Sequence, residues 1–129
     1  MPSVHMNWVT IIAASVVAFA VGAVWYSPPV FGKIYSAVAG KMPSPPTLAL
    51  SFLLTIVSAS MLAVVVSWTG AAGFSNGVLV GVVGWAAYAG ATNVANMAFE
   101  PNRSKLTVVN SGFQLIQFVI LGAAIAHWR

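Results

Sequence analysis

Four apolar runs, each about as long as a bilayer is thick, fill most of this chain and constrain its fold more than any other feature. They are NWVTIIAASVVAFAVGAVWYS (7–27), TLALSFLLTIVSASMLAVVVSW (47–68), NGVLVGVVGWAAYAGATNVANMAF (76–99) and LTVVNSGFQLIQFVILGAAIAHW (106–128). A helix that crosses a bilayer needs about 20 largely apolar residues. In lipid every backbone N–H and C=O must bond within the protein, and a helix achieves this within one segment. The expectation is therefore an all-α integral membrane protein, a four-helix bundle forming one transmembrane domain over residues 1–129. The first run has no Lys or Arg ahead of it and is too long for a secretion signal, so it is read as a mature span.

The rest of the composition agrees. Hydrophobic residues make up 60% of the chain and charged residues 5%, against roughly 25% charged in ordinary soluble domains. Five Lys and Arg, one acid and two His cannot clothe a soluble surface. The net charge of +4 is spread singly between apolar runs, so it marks topology and not a nucleic-acid surface. The expected partners are membrane lipids, together with a homo-oligomer or a larger membrane complex. The absence of Cys excludes a disulfide framework and thiol chemistry.

Loop charges give the orientation. Lys33 and Lys41 lie between the first two runs, and Arg103 and Lys105 between the last two. The connection TGAAGFS carries no charge, and the ends of the chain offer only His5, the amine and Arg129. By the positive-inside rule, loops 28–46 and 100–105 face the cytoplasm and both termini lie outside. Trp8, Trp68, Phe74 and Trp128 then fall at the outer boundary, and Trp25, Tyr26, Phe31, Tyr35 and Phe99 at the inner one, as two interfacial belts. Trp85 and Tyr88 sit mid-span and are expected to pack between helices.

Polar residues inside the spans form rows. Asn93, Asn96 and Glu100 share one face of the third run, and Asn110, Gln114 and Gln117 one face of the fourth. Ser51, Thr55 and Ser58 form a similar row in the second. Amides facing hydrocarbon leave donors and acceptors unbonded at a cost of several kcal/mol, roughly 2–7 each. The rows are therefore expected to face one another as a polar seam in the inner half, either dry or open to water. Glu100, the one acid, stands at the mouth of this seam and is expected to clamp the two inner loops by pairing with Lys33 or Arg103. Pro101 disfavours a helical Glu100 and so disfavours regular i,i+3 pairing with Arg103. Small residues also recur at helical spacing: Gly73, Gly77 and Gly81; Ala14, Ala18 and Gly22; Gly122 and Ala126. Such rows let helices approach closely, within one chain or between copies.

Catalytic patterns are missing. There is no H-E-x-x-H, no pair of carboxylates, no Cys/His set and no phosphate loop. His5 and His127 both fall near the outer face, far from the polar rows, so a serine would find no base there. No catalytic, metal-binding or cofactor-binding residue is expected, and no cofactor. The leading reading is a structural or accessory membrane subunit with no enzymatic activity. A small oligomeric channel or carrier, with the amide rows lining its path, is the alternative. A lipid-modifying enzyme is a third and weaker one.

One segment carries a resemblance. AFAVGAVWYSPPVFGK (18–33), with NMAFE (96–100) and the closing IAHWR, resembles the small bacterial membrane proteins grouped as "domain of unknown function 1761". WYSPPVFGK is the most specific part. The resemblance implies a bacterial four-helix membrane protein, and so a multi-pass protein of the inner (cytoplasmic) membrane with periplasmic termini. It implies no activity and no catalytic residue. Physically, Ser27-Pro28-Pro29 is expected to end the first helix and continue extended, Gly32 to permit a turn, and Phe31 and Tyr35 to dip into the interface. With KMPSPPT (41–47), the first inner loop reads as a stiff connector.

Overall fold

The computed structural model describes residues 6–39 and 44–128, together with Val4. His5, Lys41 and Arg129, used above to weigh topology, lie outside the described residues. Helix α1 spans Trp8–Trp25, with the Asn7 side chain accepting a hydrogen bond from the Thr10 N–H at 3.3 Å. Such a cap satisfies one of the donors that a helix start leaves free.

The double proline does not run extended. Only Ser27 does (φ −71°, ψ 152°), as a residue before proline must. Pro28–Gly32 then forms a π-helical turn that feeds directly into a short helix, α2 (Lys33–Ala39). Proline's missing N–H is no loss in the first turn of a helix, where that donor has no partner anyway. The pair therefore starts a helix instead of preventing one.

Helix α3 (Pro45–Thr69) ends at Gly70, whose φ of +70° and N–H bond to Val66 O (3.1 Å) form a left-handed cap. Three residues later Gly73, at φ +84°, opens α4 (Gly73–Trp85). This short link makes α3 and α4 antiparallel. Helix α4 passes through a second π-helical turn, Ala86–Gly90, into α5 (Ala91–Phe99). Glu100 (φ −130°, ψ 70°) breaks the helix ahead of Pro101, and one 3-10 turn, Pro101–Arg103, leads into α6 (Ser104–His127).

The protein is thus all-α among the described residues, and four of its helical stretches are long and apolar enough to cross a membrane: Trp8–Trp25, Pro45–Thr69, Gly73–Phe99 and Pro101–His127. At most 33% of the residues in the most apolar part of any of them is buried. Large aliphatic side chains point outward all round, including Val9 (80% exposed), Val83 and Val94. So much contiguous apolar surface suits lipid and not water.

Helix α6 is the hub, packed against α1, α3, α4 and α5. The core lies in the half of the bundle near Trp8 and His127, where Ile11, Ala18, Ala63, Val66 and Leu121 are almost fully enclosed. The tightest contact is between α4 and α6. A Cβ on Gly77 would collide with Gly122 O and lie 2.8 Å from Ala123 Cα, and one on Gly81 would collide with Phe118 O. The small-residue row therefore seats α4 on α6 within one chain. Gly73 takes no part in this packing. Nothing lies within 4 Å of its Cβ position, and its positive φ explains the glycine. A Cβ on Gly22 of the α1 row would stand 2.8 Å from the Phe113 ring of α6. In the opposite half, called here the charged end, α5 has no buried residue and packs on α6.

Candidate functional site

The polar face of α6 is the most chemically informative part of the molecule. Its three amides lie four, then three residues apart, so they share one face. They do not meet a single facing row, however. Asn110 Oδ1 accepts a hydrogen bond from the Tyr26 hydroxyl at 2.5 Å, beyond the end of α1. Gln114 Oε1 accepts from Asn93 Nδ2 of α5 at 2.6 Å. Gln117 Nε2 donates to Thr55 Oγ1 of α3 at 3.2 Å. One row thus ties the central helix to three neighbours in turn.

Two indoles add to this. Trp25 Nε1 donates to Val109 O at 3.1 Å, and Trp85 Nε1 to Ser111 O at 3.0 Å. Both carbonyls lie in the half of α6 nearest the charged end. Sequence reading placed Trp25 and Tyr26 in an interfacial belt. They turn inward and are half-buried, with Tyr26 set edge-on against Phe113 and Tyr35. The signal was available: a buried Tyr O–H or Trp N–H requires an acceptor, and α6 offers carbonyls beside its glycine. Gly112 leaves room for the Trp25 ring, 3.1 Å from where a Cβ would stand.

The WYSPPVFGK segment is the other half of this arrangement. Phe31 packs on Trp25, with ring centroids 4.6 Å apart. Gly32 lies against the Tyr26–Ser27 backbone, where a Cβ would stand 2.5 Å from Tyr26 O and 2.7 Å from Ser27 C. Its N–H bonds to Ser27 O at 2.9 Å. Close approach, more than turn conformation, is what this glycine provides.

The remaining members of the expected seam separate from it. Asn96, Ser51 and Ser58 are exposed, and none has a side-chain hydrogen bond among the described residues. Tyr88, expected to pack between helices, is 73% exposed. The π-helical turn at Ala86–Gly90 bears on the placing of Asn93. In an unbroken α-helix Asn93 would lie about 150° round from the Gly77–Gly81 face, while Tyr88 would be in line with that face. The wider turn rotates everything after it by about 100°. Asn93 is brought round to Gln114, and Tyr88, within the turn itself, is exposed.

The clamp takes a different form from the one expected. Glu100 Oε2 lies 3.7 Å from Arg103 Nη1 within its own turn, and both side chains are at least half exposed. Lys33 forms no ion pair with Glu100. The non-helical Glu100 and the 3-10 turn bring Arg103 within reach although helical i,i+3 geometry is absent. No ion pair joins the two loops among the described residues; the Tyr26–Asn110 and Trp25–Val109 bonds hold that end of α1 to α6 instead.

At the opposite end, Asn7 Nδ2 and Thr10 Oγ1 both donate to Trp128 O, each at 2.9 Å. His127 stacks on Phe74 with ring centroids 3.9 Å apart. Among the described residues, no buried polar side-chain atom lacks a hydrogen-bond partner. One open groove of about 340 Å³ lies on the flank of α3, with Ser51, Leu54, Ser58 and Gln117 among its walls. A family model described as "Protein of unknown function (DUF1761)" matches residues 9–126. No curated protein and no solved structure matches the chain.

Proposed function

The chain belongs to the family of proteins of unknown function DUF1761, and from that premise we propose that it is a structural or accessory subunit of a bacterial inner membrane, with no catalytic role. One observation carries this reading: the amides of α6 each bond to a different neighbour, Tyr26 at the end of α1, Asn93 of α5 and Thr55 of α3. A path for a polar solute needs polar groups left free to bind it in turn. Here each of the three α6 amides is bonded to a neighbouring element through one of its two polar atoms, which makes them ties between helices. Buried donors and acceptors in native proteins are normally satisfied in this way.

Flux through liposomes tests the reading against a channel or carrier. Purified protein in liposomes is expected to give no transport of ions or small polar solutes above empty vesicles. Flux that Gln114→Leu and Gln117→Leu abolish, in proteins that remain helical and folded, would sink the scaffold reading.

A further inference from the structure

Two polar surfaces of this chain face outward at membrane depth. The first lies on the far side of the π-helical turn: Tyr88, Thr92 and Asn96, spaced four residues apart, are all exposed. The second is the α3 groove, where Ser51 and Ser58 share one face and are exposed. None of these five side chains has a hydrogen-bond partner among the described residues. Four other hydroxyls in the spans satisfy themselves locally. Ser15, Thr55, Ser60 and Ser67 each donate to the carbonyl four residues back, between 2.7 and 2.9 Å. Turning back on its own helix is how a Ser or Thr satisfies itself in lipid. Ser51, Ser58 and Thr92 do not do so, and Tyr88 cannot reach its own backbone.

The depths of the two surfaces correspond. Helix α3 runs away from the charged end and α5 runs towards it, so distances can be counted from Pro45 and Phe99. At about 1.5 Å per residue, Ser58 stands ~20 Å from that end and Tyr88 ~16 Å. Ser51 stands ~9 Å from it and Thr92 ~10 Å. Asn96 reaches the level of the Ser44–Thr47 hydroxyl pair at the start of α3. Copies in one membrane share one orientation, so a residue keeps its depth from copy to copy. A hydroxyl or amide at one depth can therefore meet only groups at that depth on a neighbour.

We propose that the chain forms a closed homo-oligomer in the membrane, in which Tyr88 and Thr92 of one copy dock into the α3 groove of the next, at Ser58 and Ser51. The groove is open and lined by Leu50, Leu54, Ser51, Ser58 and Gln117, so it offers a phenol apolar contact and polar groups together. The glycine row is not the interface, because α6 already occupies it. Tyr88 projects from within the π-helical turn and is exposed. The inference rests on reading the chain as a membrane subunit, and its test is separate: flux would sink that reading and leave a cross-link untouched.

The natural chain has no cysteine, so single-cysteine variants are clean probes. Tyr88→Cys and Ser58→Cys chains, carrying different tags, are co-expressed and treated in native membranes with a short bifunctional methanethiosulfonate. A pair bearing both tags is expected. Tyr88→Cys with Val17→Cys, an exposed α1 position, is expected to give none. In mild detergent, light scattering is expected to give the unmodified protein the mass of two or more chains. Thr92→Leu combined with Asn96→Leu is expected to reduce it to one chain with helicity retained, both sites being exposed. Cross-linking only to Val17→Cys, capture only of a different protein at Tyr88→Cys, or a single-chain mass for the unmodified protein would each overturn the proposal.

Discussion

Single glycines have different jobs here, and substitution separates them. Gly81 and Gly84 lie three residues apart on α4. A Cβ on Gly81 meets the Phe118 backbone, which cannot move without shifting α6. A Cβ on Gly84 meets only side-chain atoms at 3.6 Å or more, an ordinary contact. Gly81→Ala is therefore expected to destabilise by about 1–3 kcal/mol, the usual cost of overpacking. Gly84→Ala is expected to be neutral or to stabilise by up to about 1 kcal/mol through helix propensity. Thermal unfolding of both variants in one detergent checks this, and equal losses would show that α4 and α6 are not seated as described. Glu100 is the charged counterpart. Its pair with Arg103 is half exposed and monodentate, a class worth about 0–1 kcal/mol. Glu100→Gln is expected to lower the unfolding temperature only slightly, and a large loss would require a second partner for the carboxylate.

At the scale of helices, hydrogen bonds and close packing divide the work. Near Trp8 and His127, α4 and α6 touch backbone to backbone through glycine. Near the charged end, side-chain bonds hold helices that do not interlock. The Asn93–Gln114 bond is the only side-chain hydrogen bond from α5 to α6 among the described residues. Interhelical bonds of this kind average about 0.6 kcal/mol in double-mutant cycles, because the separated helices also find partners in the membrane. A cycle combining Asn93→Ala and Gln114→Ala is expected to give coupling of that size. Additive losses would mean that the two amides do not bond. The same comparison explains why α5 is the exposed helix: one modest bond and no buried residue hold it, which leaves its outer side free for another chain.

For the whole molecule, the fold gathers the cations at one end. Lys33, Arg103 and Lys105 lie at the same end of the bundle because α1 ends, α5 ends and α6 begins there. The proposed topology puts this end in the cytoplasm. Ser75→Cys, on the exposed start of α4, is expected to label with an impermeant thiol reagent in intact cells with a permeable outer membrane. Asn102→Cys, exposed in the turn before α6, is expected to label only after the inner membrane is opened. The reverse pattern would invert the topology and leave the packing unchanged.

Hydrophobic length alone determined that there are four spans and nearly where they lie, because a bilayer demands a fixed run of apolar residues whatever their neighbours are. Chain-breaking chemistry also acted locally: Gly70 and Pro101 ended helices from their own backbone preferences. The partners of the polar residues were a different matter. The spacing of Asn110, Gln114 and Gln117 showed that they share a face, but their reach to Tyr26, Asn93 and Thr55 depends on which helices surround α6. The extra residue at Ala86–Gly90 was equally invisible to periodicity; there the Trp85 ring packs over Gly90, 3.1–3.2 Å from where a Cβ would stand. That one turn shifts the period of the last half-helix, and Asn93 meets Gln114 beyond it. Periodicity assumes an unbroken helix, and only the packed structure could show where that assumption fails.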